Sequence, residues 1–110
     1  ARLMPTSGPI LNNLAVAISA SGDGELAEAL KVSEKAIEVT KEPGPYFYET
    51  RGQILYQMKR YADAIPDLER ALVAESLREK SHRTLAECHA KLGDAKLSRR
   101  HREAAMKYEE

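Results

Sequence analysis

Residues 45–78 read PYFYETRGQILYQMKRYADAIPDLERALVAESLR, and the spacing of small and large residues in this stretch decides the fold. Gly52, Ala64 and Ala71 are small enough to let two helices approach closely, while Leu55, Leu68 and Leu72 fill the space around them. Pro45 follows Gly44 and suits the first position of a helix, where a missing amide proton removes no hydrogen bond. Lys59-Arg60 divides the stretch into two amphipathic halves. Pro66 falls early in the second half and is tolerated there if the helix starts near Ala62, with a slight bend expected.

Working outward, the turn at Lys59-Arg60-Tyr61 has counterparts at Gly24-Glu25-Leu26 and Gly93-Asp94-Ala95. Leu26 to Tyr61 is 35 residues and Tyr61 to Ala95 is 34, with the extra residue assigned to the loop Lys41–Gly44. A period of about 34 residues in helical sequence marks a stacked helix-pair repeat. The pattern predicts helices over 10–21, 25–40, 45–58, 62–75, 77–92 and 95–109. Ser76 with Glu79 three residues later has the form of a capping box for the fifth of these.

The middle repeat resembles the tetratricopeptide family, whose pattern calls for a small residue in the first helix, an aromatic at the turn and two alanines in the second helix. Gly52, Tyr61, Ala64 and Ala71 fill those places, and Tyr48, Leu55 and Leu68 stand where the family has tryptophan, tyrosine and phenylalanine. The first repeat offers Ala17, Ala29 and Ala36 at the small positions and the third offers Ala86, Ser98 and Ala105, with Asn13 and His82 where a large aromatic is usual. The resemblance implies an all-α, right-handed superhelical solenoid of antiparallel helix pairs. Three repeats, 10–44, 45–78 and 79–110, make one domain, and residues 1–9 are a tail or the end of an upstream segment.

Composition sets the outer limits. With 43% hydrophobic residues the chain has enough apolar surface for a core shared among many short contacts. Seventeen basic residues balance seventeen acidic ones, so no overall field draws the chain to nucleic acid or an anionic membrane. The apolar run Leu14–Ile18 is far shorter than the roughly 20 residues that span a bilayer. The sequence therefore reads as soluble, with no membrane partner. A single cysteine, Cys88, excludes an internal disulfide and any multi-cysteine metal site, which fits a reducing compartment such as the cytoplasm without fixing the localisation. Because the chain begins at Ala1, it is expected to be part of a larger scaffold protein.

No catalytic constellation emerges. Cys88 and His89 are neighbours on one helix and point about 100° apart, so the helix does not pair them. His82 and His89 share a face but are two turns apart, longer than the one-turn pairs usual in helical zinc sites. The glycines are scattered and make no phosphate loop, and Glu25 with Glu28 and Asp63 with Asp67 read as solvated pairs. An enzyme, a cofactor and a bound metal are all excluded from the expectation. Residues 79–110 hold eight basic and six acidic residues, concentrated at Lys96, Arg99, Arg100 and Arg102, with no aromatic interleaved, which disfavours nucleic acid. Ser98 and Arg102 read instead as the polar outer face of a terminal repeat.

What remains is a protein-interaction module. In the family, the second, fifth, ninth and twelfth residues of each repeat line a concave groove. The resemblance thus places Leu11, Leu14, Ile18 and Ser21 there from the first repeat, Tyr46, Glu49, Gln53 and Tyr56 from the second, and Lys80, Arg83, Glu87 and Ala90 from the third. One subclass clamps the terminal carboxylate of chaperone tails with lysine, asparagine and arginine side chains. The matching places hold Leu14, Ile18, Thr50, Lys80 and Thr84, of which Lys80 alone agrees. On an ideal helix Leu11, Leu14 and Ile18 fall within about 60° of one another, away from Val16, Ala17 and Ala20. They are read as an exposed stripe for the apolar anchors of a partner peptide or helix, or for self-association with a second copy. The alternative is that the tail, through Leu3 and Met4, covers the stripe.

Overall fold

Helices take up most of the chain, and the reasons lie in its turns. The computed structural model describes residues 7–108, with inner helices α1 (Gly8–Ser19), α3 (Pro45–Gln57) and α5 (Arg78–Lys91) alternating with outer helices α2 (Leu26–Val39), α4 (Tyr61–Ala71) and α6 (Ala95–Met106). Short 3-10 turns at Asp23–Glu25 and Glu75–Leu77 lead into α2 and α5, and no strand occurs among the described residues. Each inner helix packs antiparallel on the outer helix that follows it, and each pair stacks on the next, giving a helical solenoid. Leu3, Met4 and Glu109 lie outside the described residues.

The second and third repeats turn in the same way. Lys59 and Gly93 take φ of 64° and 88°, the left-handed cap that ends a helix. The next residue then reaches back: Arg60 N–H donates to the Leu55 carbonyl and Asp94 N–H to the His89 carbonyl, both at 2.8 Å. Glycine adopts this backbone freely at Gly93, whereas Lys59 carries a side chain through it. Asp94 also caps α6, its Oδ1 accepting from Leu97 N–H at 3.0 Å.

The first repeat turns differently, and this corrects the frame read from sequence. Outer helices begin at Leu26 and Tyr61, 35 residues apart as expected, but inner helices begin at Gly8 and Pro45, 37 apart. Two extra residues sit in the turn between α1 and α2, so α1 starts two residues before the expected Ile10. The small residue that meets the outer helix is Ala15, not Ala17, and it matches Gly52 and Ala86. Leu11 takes the place of Tyr48, so a large apolar residue does fill the position assigned to Asn13.

The core runs the length of the stack, from Leu11 and Ala15 through Leu30, Val32, Ile54 and Leu68 to Leu85 and Cys88. Buried alanines at 29, 64, 36, 71 and 105, with Ser98, keep the outer helices close. At the middle crossing the nearest neighbours of Gly52 are Leu68 and Asp67. A β-carbon added at Gly52 would lie 2.9 Å from Leu68 Cγ and Cδ2 and 3.2 Å from Asp67 Cβ. α4 continues through Pro66, which is exposed, as is Ala62, whose carbonyl Pro66 leaves without an intrahelical donor.

Three local readings change. Asp67 is no surface residue. Its side chain is 3% exposed and is held by Arg51 from α3, through Nε at 2.7 Å and Nη2 at 3.0 Å, and by Arg70 at 3.2 Å. Both guanidinium groups stand against the Tyr48 ring, at 5.8 and 5.0 Å from its centre. Ser76 forms no capping box; its hydroxyl bonds the Tyr46 hydroxyl, and Glu79 pairs with Arg83. Ser98 is buried against α5, whereas Arg102 is exposed and donates to Ser98 Oγ at 3.0 Å.

Candidate interaction groove

An inner helix of this stack has two jobs. One face packs on its outer partner, and the next face around the helix lines a surface shared by all three repeats. On α3 the packing face is Gly52 and Leu55, and the shared face is Glu49, Gln53 and Tyr56. A cavity of about 220 Å³ opens there, walled by Val16 and Ser19 of α1, Glu49, Gln53 and Tyr56 of α3, and Lys80 of α5. Gln53 is fixed across the helix boundary by Thr84, donating Nε2 at 2.9 Å and accepting at Oε1 at 3.3 Å. Tyr56 packs edge-on against Tyr61, with ring centres 5.9 Å apart. Burial, and then the Glu87 carboxylate, raises the Tyr56 phenol above its ordinary range.

The expected site residues divide on this geometry. Glu49, Gln53, Tyr56 and Lys80 come together at the cavity. Tyr46 is 53% exposed and is tied to Ser76 beyond it; Arg83 and Glu87 are exposed on α5 and do not wall it. Leu11, Leu14 and Ile18 are corrected. Leu11 is fully buried, and Leu14 and Ile18 pack against the core, so they are not an exposed stripe. Val16 and Ala17, assigned to the buried side, are exposed, Val16 by 48%. With the two-residue shift, Val16 aligns with Gln53 and Ser19 with Tyr56, which is why these two line the groove. The signal for them was present in the spacing: Leu11, Ala15 and Ile18 repeat the large-small-large order of Tyr48, Gly52 and Leu55 at equal intervals.

Residues 45–73 match the family model of the tetratricopeptide repeat. The match covers the middle helix pair, and the paired helices on either side of it are consistent with the same repeat. No curated protein matches the chain. The repeats of that family are non-catalytic interaction modules. Cys88 is fully buried and burial, reinforced by Glu87, pushes its thiol up to about 11, away from the reactive thiolate. The three histidines pack on one another between α5 and α6. His82 Nδ1 lies 3.0 Å from His101 Nδ1, one donating and one accepting, and His89 stacks on His101 at 5.4 Å. No group of three or more metal-binding side chains occurs among the described residues. None of the described helices is long and apolar enough to cross a membrane.

Proposed function

We propose that this chain holds a partner peptide in the groove formed by α1, α3 and α5. Tetratricopeptide repeats generally mediate protein–protein interaction. The observation that carries the reading here is that side chains from all three inner helices converge on one cavity, from Val16 through Glu49 to Lys80. The groove is mixed in character, with an apolar patch at Val16 and Ile54 beside polar groups at Ser19, Gln53 and Lys80. Such a surface orients a peptide by a few polar contacts and gains affinity from its apolar anchors. In the corrected frame the chaperone-clamp positions of the first repeat fall on Asn12 and Val16, so a carboxylate-terminated tail remains disfavoured. Self-association rested on an exposed stripe of Leu11, Leu14 and Ile18; Leu11 is buried and Leu14 and Ile18 are half-buried against the core, so that stripe gives it no support.

The test is a selection of random 12-residue displayed peptides on the folded protein, followed by mapping the bound peptide through backbone amide shifts in NMR. Perturbations clustered at 16–19, 49–57 and 80–87 are expected. Perturbations confined to the outer helices α2, α4 and α6 would refute the groove.

A further inference from the structure

We propose that the groove selects a basic side chain, arginine or lysine, from its partner, with Glu49 as the recognising group. The inference rests on the groove reading above and specifies what the groove takes. Two carboxylates of the middle repeat are drawn inward from solvent, and the fold treats them differently. Asp67 is met by two guanidinium groups. Glu49 is half-buried: its Oε2 is shielded without a hydrogen-bond partner, and no ion pair involves Glu49 among the described residues. A carboxylate oxygen shielded from water with no donor is an uncompensated polar group. A cation arriving from the open side of the cavity removes that penalty, which the protein's own side chains leave in place.

The surroundings suit a long cationic side chain. Tyr56 shares the cavity, and its ring, steadied by Tyr61, offers a face to a guanidinium or ammonium group. Glu87 stands close enough to act on the Tyr56 phenol, and it too has no ion pair among the described residues. Val16 and Ile54 give the methylene stem an apolar wall. Lys80 has no ion pair either and supplies a donor for a carbonyl oxygen of the same peptide. A volume of about 220 Å³ fits one side chain of this size and leaves the peptide backbone outside.

The experiment compares N-acetyl-arginine-methylamide with its neutral, near-isosteric citrulline counterpart by amide-shift titration of the wild type and of Glu49→Gln. Glu49 accepts no internal hydrogen bond through Oε2, so the isosteric variant keeps the fold, checked by circular dichroism. The arginine probe should shift the amides of Glu49, Gln53 and Tyr56 and bind about tenfold more tightly than citrulline, as expected for a charge-assisted contact. Glu49→Gln should erase that difference. Equal response to both probes, no response to either, or an unchanged difference in Glu49→Gln would overturn the proposal. The displayed-peptide selection separates the two levels. Groove binders with no enrichment of arginine or lysine sink the charge assignment and leave the groove standing, whereas binders on the outer helices sink both.

Discussion

Leu11 and Val16 sit on the same helix, and truncating each in turn tests the register of α1 directly. Leu11 is fully buried among core side chains, so Leu11→Ala removes three carbons from a packed interior and leaves a cavity, an effect of about 2–5 kcal/mol. Val16 is 48% exposed, and Val16→Ala should change stability by less than about 0.5 kcal/mol. For a domain of this size each kcal/mol moves the melting midpoint by roughly 4–8 °C. Leu11→Ala should therefore lower the midpoint by at least about 8 °C, and Val16→Ala by less than about 4 °C. Circular dichroism at 222 nm reads both, and amide hydrogen exchange adds where the loss falls. Because neighbouring repeats stabilise one another, exchange should rise first in α1 and α2 and then spread into α3. If Val16→Ala proved the more damaging, or if Leu11→Ala melted with the wild type, the two-residue shift would be wrong and the stripe of Leu11, Leu14 and Ile18 would be a surface.

Two further outcomes are expected. Gly52→Ala gains about 1 kcal/mol of helix propensity but drives a β-carbon to 2.9 Å from Leu68, which is fully buried, so a net loss of up to about 2 kcal/mol should appear in the urea midpoint; a variant more stable than wild type would show that Leu68 yields freely. The histidine cluster predicts acid sensitivity: burial first, then Arg78 for His82 and the other two histidines for His101, lowers both pKa values in the folded chain. The unfolded chain then takes up protons first, so this contribution is intact above about pH 6.5 and is lost as pH falls through the folded values. His101→Phe keeps a ring against His89 without a titrating group and should flatten the decline in melting temperature between about pH 7 and 5; an identical slope in the variant would exclude the cluster as its source.

The middle repeat was legible because its signals are local. Gly52, Ala64 and Ala71 recur at intervals set by the helix itself, and the outer helices followed from the same period. The first inner helix was not legible from periodicity, because α1 is apolar nearly all round: Leu11, Leu14, Ala15 and Ile18 form one arc and Val16, Ala17 and Ala20 another. Either arc satisfies an amphipathic reading, and the large-small-large order of Leu11, Ala15 and Ile18 separates them only once the turn before α2 is allowed two more residues than the fixed period gives it. Asp67 and Ser76 were misread for a different reason. Their partners, Arg51 and Tyr46, lie 16 and 30 residues away, so nothing in their own neighbourhoods distinguished a buried ion pair from a surface carboxylate or a tertiary hydroxyl contact from a helix cap. The same non-locality hid the histidine cluster, whose closest pair spans 19 residues and two helices.

Helix packing and the groove lining meet on α3, and they are coupled in one direction. Glu49 and Gln53 flank Gly52 on the helix, so the close approach of Gly52 to Leu68 sets how deeply both side chains sit in the groove. Thr84 then pins Gln53, and Tyr61, at the start of α4, steadies the Tyr56 ring. Widening the α3–α4 crossing by enlarging Gly52 displaces the part of the groove wall that carries Glu49 and Gln53. The reverse does not hold. Glu49 contributes no hydrogen bond through its buried Oε2 and no ion pair to the fold, so changing it leaves the packing that shapes the groove in place. The groove lining can therefore vary at residues such as Glu49 and Val16 while Gly52, Ala64, Leu68 and Ala71 hold the helix pair at one spacing.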